Sequence, residues 1–277
     1  MQQLTVPKPV IVCADDFAFS LAVSRAIAQL GGQGRISATS AMVLSPRWAT
    51  DVAMLRDLRG QIDVGLHLDW TSPLAAVAGH GMSLGRAMML SLAGRFDGAQ
   101  VTAVIERQLD KFEAHWQAPP DHVDGHQHVH QFAGIREPLL DLLDRRYGRG
   151  AGPWVRISRP VAFGAGVKGR VVAAMGARGL ARELARRHRH ASPALVGMYD
   201  FSGSSADYAA RLHGWLRQAP PGAVLMCHPA AQADADDTIG AARVREFDCW
   251  RGEAASGALA AANAVPARGP VHAPGVR

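Results

Sequence analysis

Four of the twelve histidines in this 277-residue chain, His122, His126, His128 and His130, fall in the single run HVDGHQHVH, with Asp124 among them. Imidazole is the commonest metal ligand in proteins, and a histidine-rich tract holding a carboxylate reads first as a metal site. Reach limits how many can bind. In an extended segment the even-numbered positions share one face, and His122 and His130 would stand roughly 26 Å apart at about 3.3 Å per residue. One ion with ligands near about 2.1 Å takes one or two of them. The others support the ligands or face a substrate. Asp15 and Asp16 are adjacent, so their side chains diverge: one can bind a metal while the other faces a water or a substrate. The competing reading is a turn pair ahead of a helix. His67 is a polar residue inside the apolar run VGLHLDW, and the alternative there is a buried, hydrogen-bonded core histidine. His228, in LMCHPA, sits where a strand meets a turn and can serve as ligand, general acid or turn residue. Arg156, in WVRISRP, is placed to hold an acid or stabilise an oxyanion, against the reading of a surface arginine.

These residues need a scaffold that gathers them. Val10–Ala14 is a short β-rich run that ends at the two acids. Ser20–Leu30 has helical spacing with Ser20 as N-cap, and Gly31-Gly32 marks its end. Further strands are expected at Ser37–Leu44, Ile62–Leu68, Asp121–His126, Trp154–Ile157 and Ala223–Cys227. Helices are expected at Arg47–Leu58, Gln100–Trp116, Ile135–Tyr147, Lys168–His190, Ala206–Gln218 and Thr238–Trp250. Thr71–Arg95 reads as a long irregular excursion, a lid or a helical insert. From residue 253 to 277 the chain is rich in Ala, Gly and Pro and reads as a C-terminal tail beyond one domain of residues 1–252. Strands alternating with helices imply βαβ units and a mostly parallel sheet, and chemistry in such folds collects at the carboxyl ends of strands. Asp15 and Asp16, His67, the histidine run and His228 each lie at or after the end of a different expected strand. A scatter of structural histidines would not fall that way.

Composition removes other classes. Hydrophobic residues make up 48% and charged residues 19%, a globular balance, and no run reaches the roughly 18 apolar residues of a membrane span. Met1–Val10 lacks the pattern of a secretory signal. Three cysteines, Cys13, Cys227 and Cys249, are too scattered for a disulfide framework or a CxxC zinc site, so a reducing, cytoplasmic setting is expected. The net charge of +6 does not imply nucleic acid, because much of the excess lies in ARGLARELARRHRH (177–190), the solvated face of an Ala/Leu/Arg helix. Walker A, GxSxG and strand-following GxGxxG motifs are absent.

The pieces ADDFAFS, GLHL, HVDGHQHVH and MCHP, with ISATSAMV and VREF beside them, resemble in order and spacing the YdjC-like family, which includes the ChbG-type and HpnK-type carbohydrate deacetylases. The resemblance covers approximately residues 9–250. It departs at Ala18, where the family usually has glycine after DDF. It implies a single-domain α/β fold, a distorted (β/α) barrel with mostly parallel strands, and one divalent ion, magnesium or zinc first, held by Asp16, His67 and His126. Asp15 would match the catalytic base and His228 the histidine that assists the leaving amine. Asp124, His128, His130 and Arg156 would then support the ligands or meet the substrate. The reaction implied is hydrolysis of the N-acetyl group of a GlcNAc-containing oligosaccharide or glycolipid. Apart from the resemblance, the charge pattern argues for no nucleic acid as partner, and an isologous homodimer is the common default assembly. Two other classes stay open: a metal-dependent phosphoesterase, which usually needs two ions with bridging carboxylates, and a non-catalytic sugar- or metal-binding protein. Substrate choice would rest on the loops Thr71–Arg95 and Pro160–Gly166; Trp70 and Trp154 read equally as sugar-stacking rings or as core packing.

Overall fold

A computed structural model describes residues 6–161 and 173–270. Seven parallel strands form one curved sheet in the order β5-β4-β3-β2-β1-β7-β6, with an eighth strand beside β1. They are β1 (Lys8–Phe17), β2 (Ala38–Ala41), β3 (Asp63–Leu68), β4 (His122–Gly125), β5 (Trp154–Val155), β6 (Leu195–Val196), β7 (Val224–Cys227) and β8 (Ala264–Pro266). Two isolated parallel bridges, Val155↔Ala191 and Pro160↔Leu195, link the β5 edge to β6. One half of the wall is therefore regular sheet and the other is thin, which makes a distorted barrel. The helices between the strands lie outside it, as right-handed βαβ crossovers require.

Strand alternation sorts the side chains. Val10, Val12 and Ala14 of β1, Val64, Leu66 and Leu68 of β3, and Leu225 and Cys227 of β7 join the large core under the helices. Ile11 and Cys13 of β1 with Val224 and Met226 of β7 form a smaller cluster with Trp154 and Leu195 inside the barrel. With a period of two, Asp15 continues the inward row of β1, His67 that of β3, Asp124 that of β4 and His228 that of β7. Gly65 is required within this interior: a Cβ there would come within 2.3 Å of the His122 ring.

Several local expectations change. Ser20 does cap its helix, Leu21–Gly32, but that helix runs through both glycines to Gln33. Arg47–Leu58 is one short α-turn, Trp48–Asp51, followed by a 3₁₀ helix, Val52–Leu58. Thr71–Arg95 carries two helices, Pro73–Val77 and Leu84–Leu92, each capped by a serine hydroxyl. Residues 253–266 are not a tail. Glu253–Ala261 is a helix that buries Ala255, Ala258 and Leu259, and β8 pairs with the start of β1. Alanine is the best helix former, so an alanine-rich stretch with apolar spacing folds readily against a core. In the 177–190 segment, Arg178, Arg182 and Arg186 are exposed, but Arg187 and Arg189 are buried on Asp141 and Asp144. Residues 162–166 of the Pro160–Gly166 loop, 168–172 of the expected Lys168–His190 helix, 1–5, and 271–277 with His272 lie outside the described residues. Among the described residues no helix is long and apolar enough to cross a membrane.

Candidate active site

The strand ends open into a cleft of about 560 Å³ lined by Asp15, Asp16, His67, His126, His128 and His228, together with Phe19, Tyr199, Phe201 and Arg243. Its size is ordinary for a small-ligand site. Asp15 and Asp16 both reach it because the backbone breaks the strand alternation. Asp16 has φ +69° and Ala18 φ +70°, and the β1–β2 register shifts between Ala14 and Phe17. Such a bulge re-aims side chains at a sheet end. The turn is held from behind: the Ser24 hydroxyl accepts the Ala18 N–H and donates to Asp51, which Arg47 also grips. Left-handed φ is where glycine sits without strain, so Ala18 carries strain that the family's usual glycine would not.

The histidine run is not extended. β4 ends at Gly125, and residues 126–131 wind into a tight 3₁₀ stretch with Gln127 and His128 at positive φ. Three histidines are thereby sent to three places. His126 Nδ1 lies 3.3 Å from Asp16 Oδ1, the Ser158 hydroxyl meets His128 Nδ1 at 3.0 Å, and His130 Nε2 donates to the Arg156 carbonyl at 2.7 Å. His122 stays in the strand, with Ser40 Oγ at 3.0 Å and its ring stacked on Trp154 at 4.5 Å.

Among the described residues, three sets of side chains bring ligand atoms within 4.8 Å of one another: Asp16, His67 and His126; Cys13, His122 and Asp124; and Asp15, His67 and Asp124. The first fits a divalent ion. Asp16 Oδ1 is buried with no hydrogen-bond partner among the described residues, yet stands 3.4 Å from His67 Nε2 and 3.3 Å from His126 Nδ1. Ligands at about 2.1 Å from one tetrahedral ion are about 3.4 Å apart. His67 has its other nitrogen committed: Nδ1–H donates to Asp124 Oδ1 at 2.6 Å, the carboxylate–histidine arrangement that supports metal-binding imidazoles. Asp16 Oδ2 accepts from Arg243 Nη2 at 2.7 Å. Burial alone would raise the Asp16 carboxyl, but Arg243, His126 and His67 hold it well below the usual range. Burial lowers His67, and Asp124, then Asp15 and Asp16, together more than reverse this, to about 9. The pair thus holds a proton where a cation would take its place.

The other two sets are filled from within. Cys13 and His122 do not line the cleft, and burial, ahead of Asp15 and Asp124, pushes the Cys13 thiol well up, away from the thiolate that binds metal. Between Asp15 and Asp124 stands Arg156. Its Nη1 is 2.8 and 2.9 Å from the two Asp15 oxygens and 3.0 Å from Asp124 Oδ2. Arg156 is fully buried, so it is no surface arginine, and a guanidinium occupies the position that a second cation would need. His228 Nε2 lies 4.0 Å from Asp15 Oδ2, and burial holds the ring neutral, down to about 4.

Sequence reasoning missed two members. Arg243 and Glu246, on the helix Gly240–Arg251, are buried and contact Asp16 and the His228 N–H respectively; the VREF piece, residues 244–247, holds Glu246 but not Arg243. Trp70 and Trp154 are not sugar platforms. Both are core residues, 2% and 6% exposed, and Trp154 Nε1 donates to Asp63. The aromatic rings on the cleft are Phe19, Tyr199 and Phe201.

The fold and this cleft define an α/β barrel whose polar residues gather at the strand ends. The chain matches the model of the YdjC-like protein family over residues 9–261 and belongs to that family. It is 28% identical over 231 residues to the chitooligosaccharide deacetylase of Serratia marcescens, covering 80% of this chain and 82% of that one. It is 31% identical over 147 residues to the chitooligosaccharide deacetylase of Yersinia pestis (strain Pestoides F), covering 50% and 56%. A solved structure from Enterococcus faecalis V583, a candidate cellobiose-phosphate cleavage protein, shares the fold with a TM-score of 0.69 at 19% identity, covering 95% and 97%.

Proposed function

We propose that this chain is a carbohydrate deacetylase that hydrolyses the N-acetyl group of a GlcNAc-containing oligosaccharide, with one divalent ion held by Asp16, His67 and His126. The observation that carries the reading is Asp16 Oδ1, without a hydrogen-bond partner among the described residues yet facing two imidazole nitrogens, with Asp15 and His228 beside it in one cleft. Family membership and relatives named as chitooligosaccharide deacetylases support the reaction class. When bound, magnesium or zinc supplies Lewis-acid polarisation of water and of the acetamide carbonyl.

The chain's own residues supply the rest. Asp15 takes a proton from the attacking water. Arg156 fixes that carboxylate through both oxygens, so its approach to the water is set before substrate arrives. Asp124 holds the His67 Nδ1 proton, which makes Nε2 the nitrogen that would meet the ion in place of a proton. Neutral His228, 4.0 Å from Asp15, is placed to receive the proton and deliver it from Nε2 to the departing nitrogen. Phe19, Tyr199 and Phe201 offer apolar ring faces to a sugar. The guanidinium between Asp15 and Asp124 disfavours a two-ion phosphoesterase.

The test is acetate release from di-N-acetylchitobiose by chelator-stripped protein, with magnesium, zinc, cobalt or nickel added back singly. Release that returns with a metal is expected. Release indifferent to the chelator, or phosphate ester cleavage with two ions per chain, would overturn the reading.

A further inference from the structure

We propose that Glu246 is the positioning residue for His228, a buried carboxylate that fixes the imidazole through its backbone and through an aromatic clamp. The inference rests on the reading of His228 as the group that hands a proton to the departing amine. Glu246 is 1% exposed. The His228 N–H donates to its Oε2 at 2.6 Å, the Tyr199 hydroxyl donates to Oε1 at 2.7 Å, and the Tyr208 hydroxyl reaches Oε2 at 3.5 Å. Trp250 Nε1 donates in turn to the Tyr208 oxygen at 3.1 Å. These partners are neutral donors, and burial pushes the carboxyl up to about 7. A buried acid is costly to keep as mere packing, and here it is spent on the backbone of a cleft histidine.

The grip on His228 is double. β7 ends at Cys227, and Pro229 confines the residue before it to extended backbone, so the N–H bond to Glu246 settles the direction in which the imidazole leaves the strand. On the ring's flank, Phe201 packs edge-on at 5.3 Å. Phe201 rests on Tyr199 at 4.9 Å, and Tyr199 is tied to the other Glu246 oxygen. Both routes end on one carboxylate. They set the 4.0 Å between His228 Nε2 and Asp15 Oδ2. In the step served, the water oxygen forms the new C–O bond and Asp15 takes one water proton, which passes to His228. As the C–N bond breaks, its electron pair returns to nitrogen, which takes the proton from Nε2. Amide and water become amine and acetic acid, which ionises to acetate, and Asp15 and His228 return to their starting states.

The experiment measures kcat, KM and bound metal on di-N-acetylchitobiose for the wild type, Glu246→Ala, Glu246→Gln and Glu246→Asp. Wild-type release is the control for the function itself: its absence would sink that reading and this one with it, whereas wild-type release with unchanged kcat in the variants would sink this one alone. Glu246→Ala is expected to lower kcat about a hundredfold, the cost of a roughly 1 Å misplacement of a reacting group. KM and metal content should stay within about twofold. Glu246→Gln keeps an acceptor for the His228 N–H and is expected to recover most of the lost kcat. If the alanine variant does not fold, Glu246→Asp decides, because it withdraws the acceptor by one methylene and should lose kcat alone. Unchanged kcat in the alanine or aspartate variant would overturn the proposal. So would a parallel loss of bound metal, or a glutamine variant no better than alanine.

Discussion

Replacing Asp124 by asparagine separates a supporting role from a ligating one. Asp124 is fully buried. It accepts from His67 Nδ1 at 2.6 Å, from Ser40 Oγ at 2.6 Å and lies 3.0 Å from Arg156 Nη1. Asparagine has one acceptor oxygen and one NH₂ in the same shape. If the oxygen faces His67, the NH₂ opposes the Arg156 guanidinium, donor against donor. If the NH₂ faces His67, Nδ1 must give up its proton and Nε2, toward Asp16, must carry one. Either arrangement weakens metal binding without removing a ligand. Losing such a support typically costs tenfold to a hundredfold in affinity, or about 1.4–2.7 kcal/mol. The assay is competition against a chromophoric chelator with zinc, on Asp124→Asn, with Cys13→Ala as the control that should not move. Affinity within about twofold of the wild type would refute the linkage through His67. Loss beyond about a thousandfold would make Asp124 itself a ligand and shift the ion toward Arg156.

Other outcomes follow from the same geometry. Ala18→Gly relieves a left-handed residue and should stabilise the protein by about 0.5–1 kcal/mol in urea unfolding; a lower midpoint would contradict the strain. Burial, then Arg156, holds His130 down to about 4 against its ordinary 6.5. The unfolded chain therefore binds more protons in that window. The contribution is full above pH 6.5 and is lost as pH falls toward 4, about 3 kcal/mol for this residue. The urea midpoint should fall over that range, less steeply in His130→Gln; equal slopes would refute it. Arg243→Met leaves Asp16 Oδ2 without its partner at 2.7 Å and should weaken metal binding about tenfold, read in the same chelator competition; unchanged affinity would remove Arg243 from the site.

Much of the site was legible because strands expose it by period. Asp15, His67, Asp124 and His228 occupy inward positions at the ends of four different strands, and a parallel sheet brings such ends together whatever the details of the helices. Asp16 was harder. Its place depends on a bulge and a positive φ, neither of which its residue type dictates. The separate destinations of His126, His128 and His130 depend on two left-handed residues in a turn that reads equally well as extended strand. Arg243 and Glu246 were hidden for another reason. They lie on a helix whose charged residues face inward as well as outward, and a charge run is ordinarily a solvated face. Trp70 and Trp154 sit near the site in sequence but point into packed interior, a distinction that only tertiary structure makes.

The most direct measurement pairs bound metal with acetate release in Asp15→Asn and His126→Ala. Asp15 is assigned to the proton and His126 to the ion. Asp15→Asn should keep one ion per chain and lose acetate release from di-N-acetylchitobiose, while His126→Ala should lose both. Acetate release that persists in either variant, or an ion that departs with Asp15 and stays without His126, would contradict the assignment.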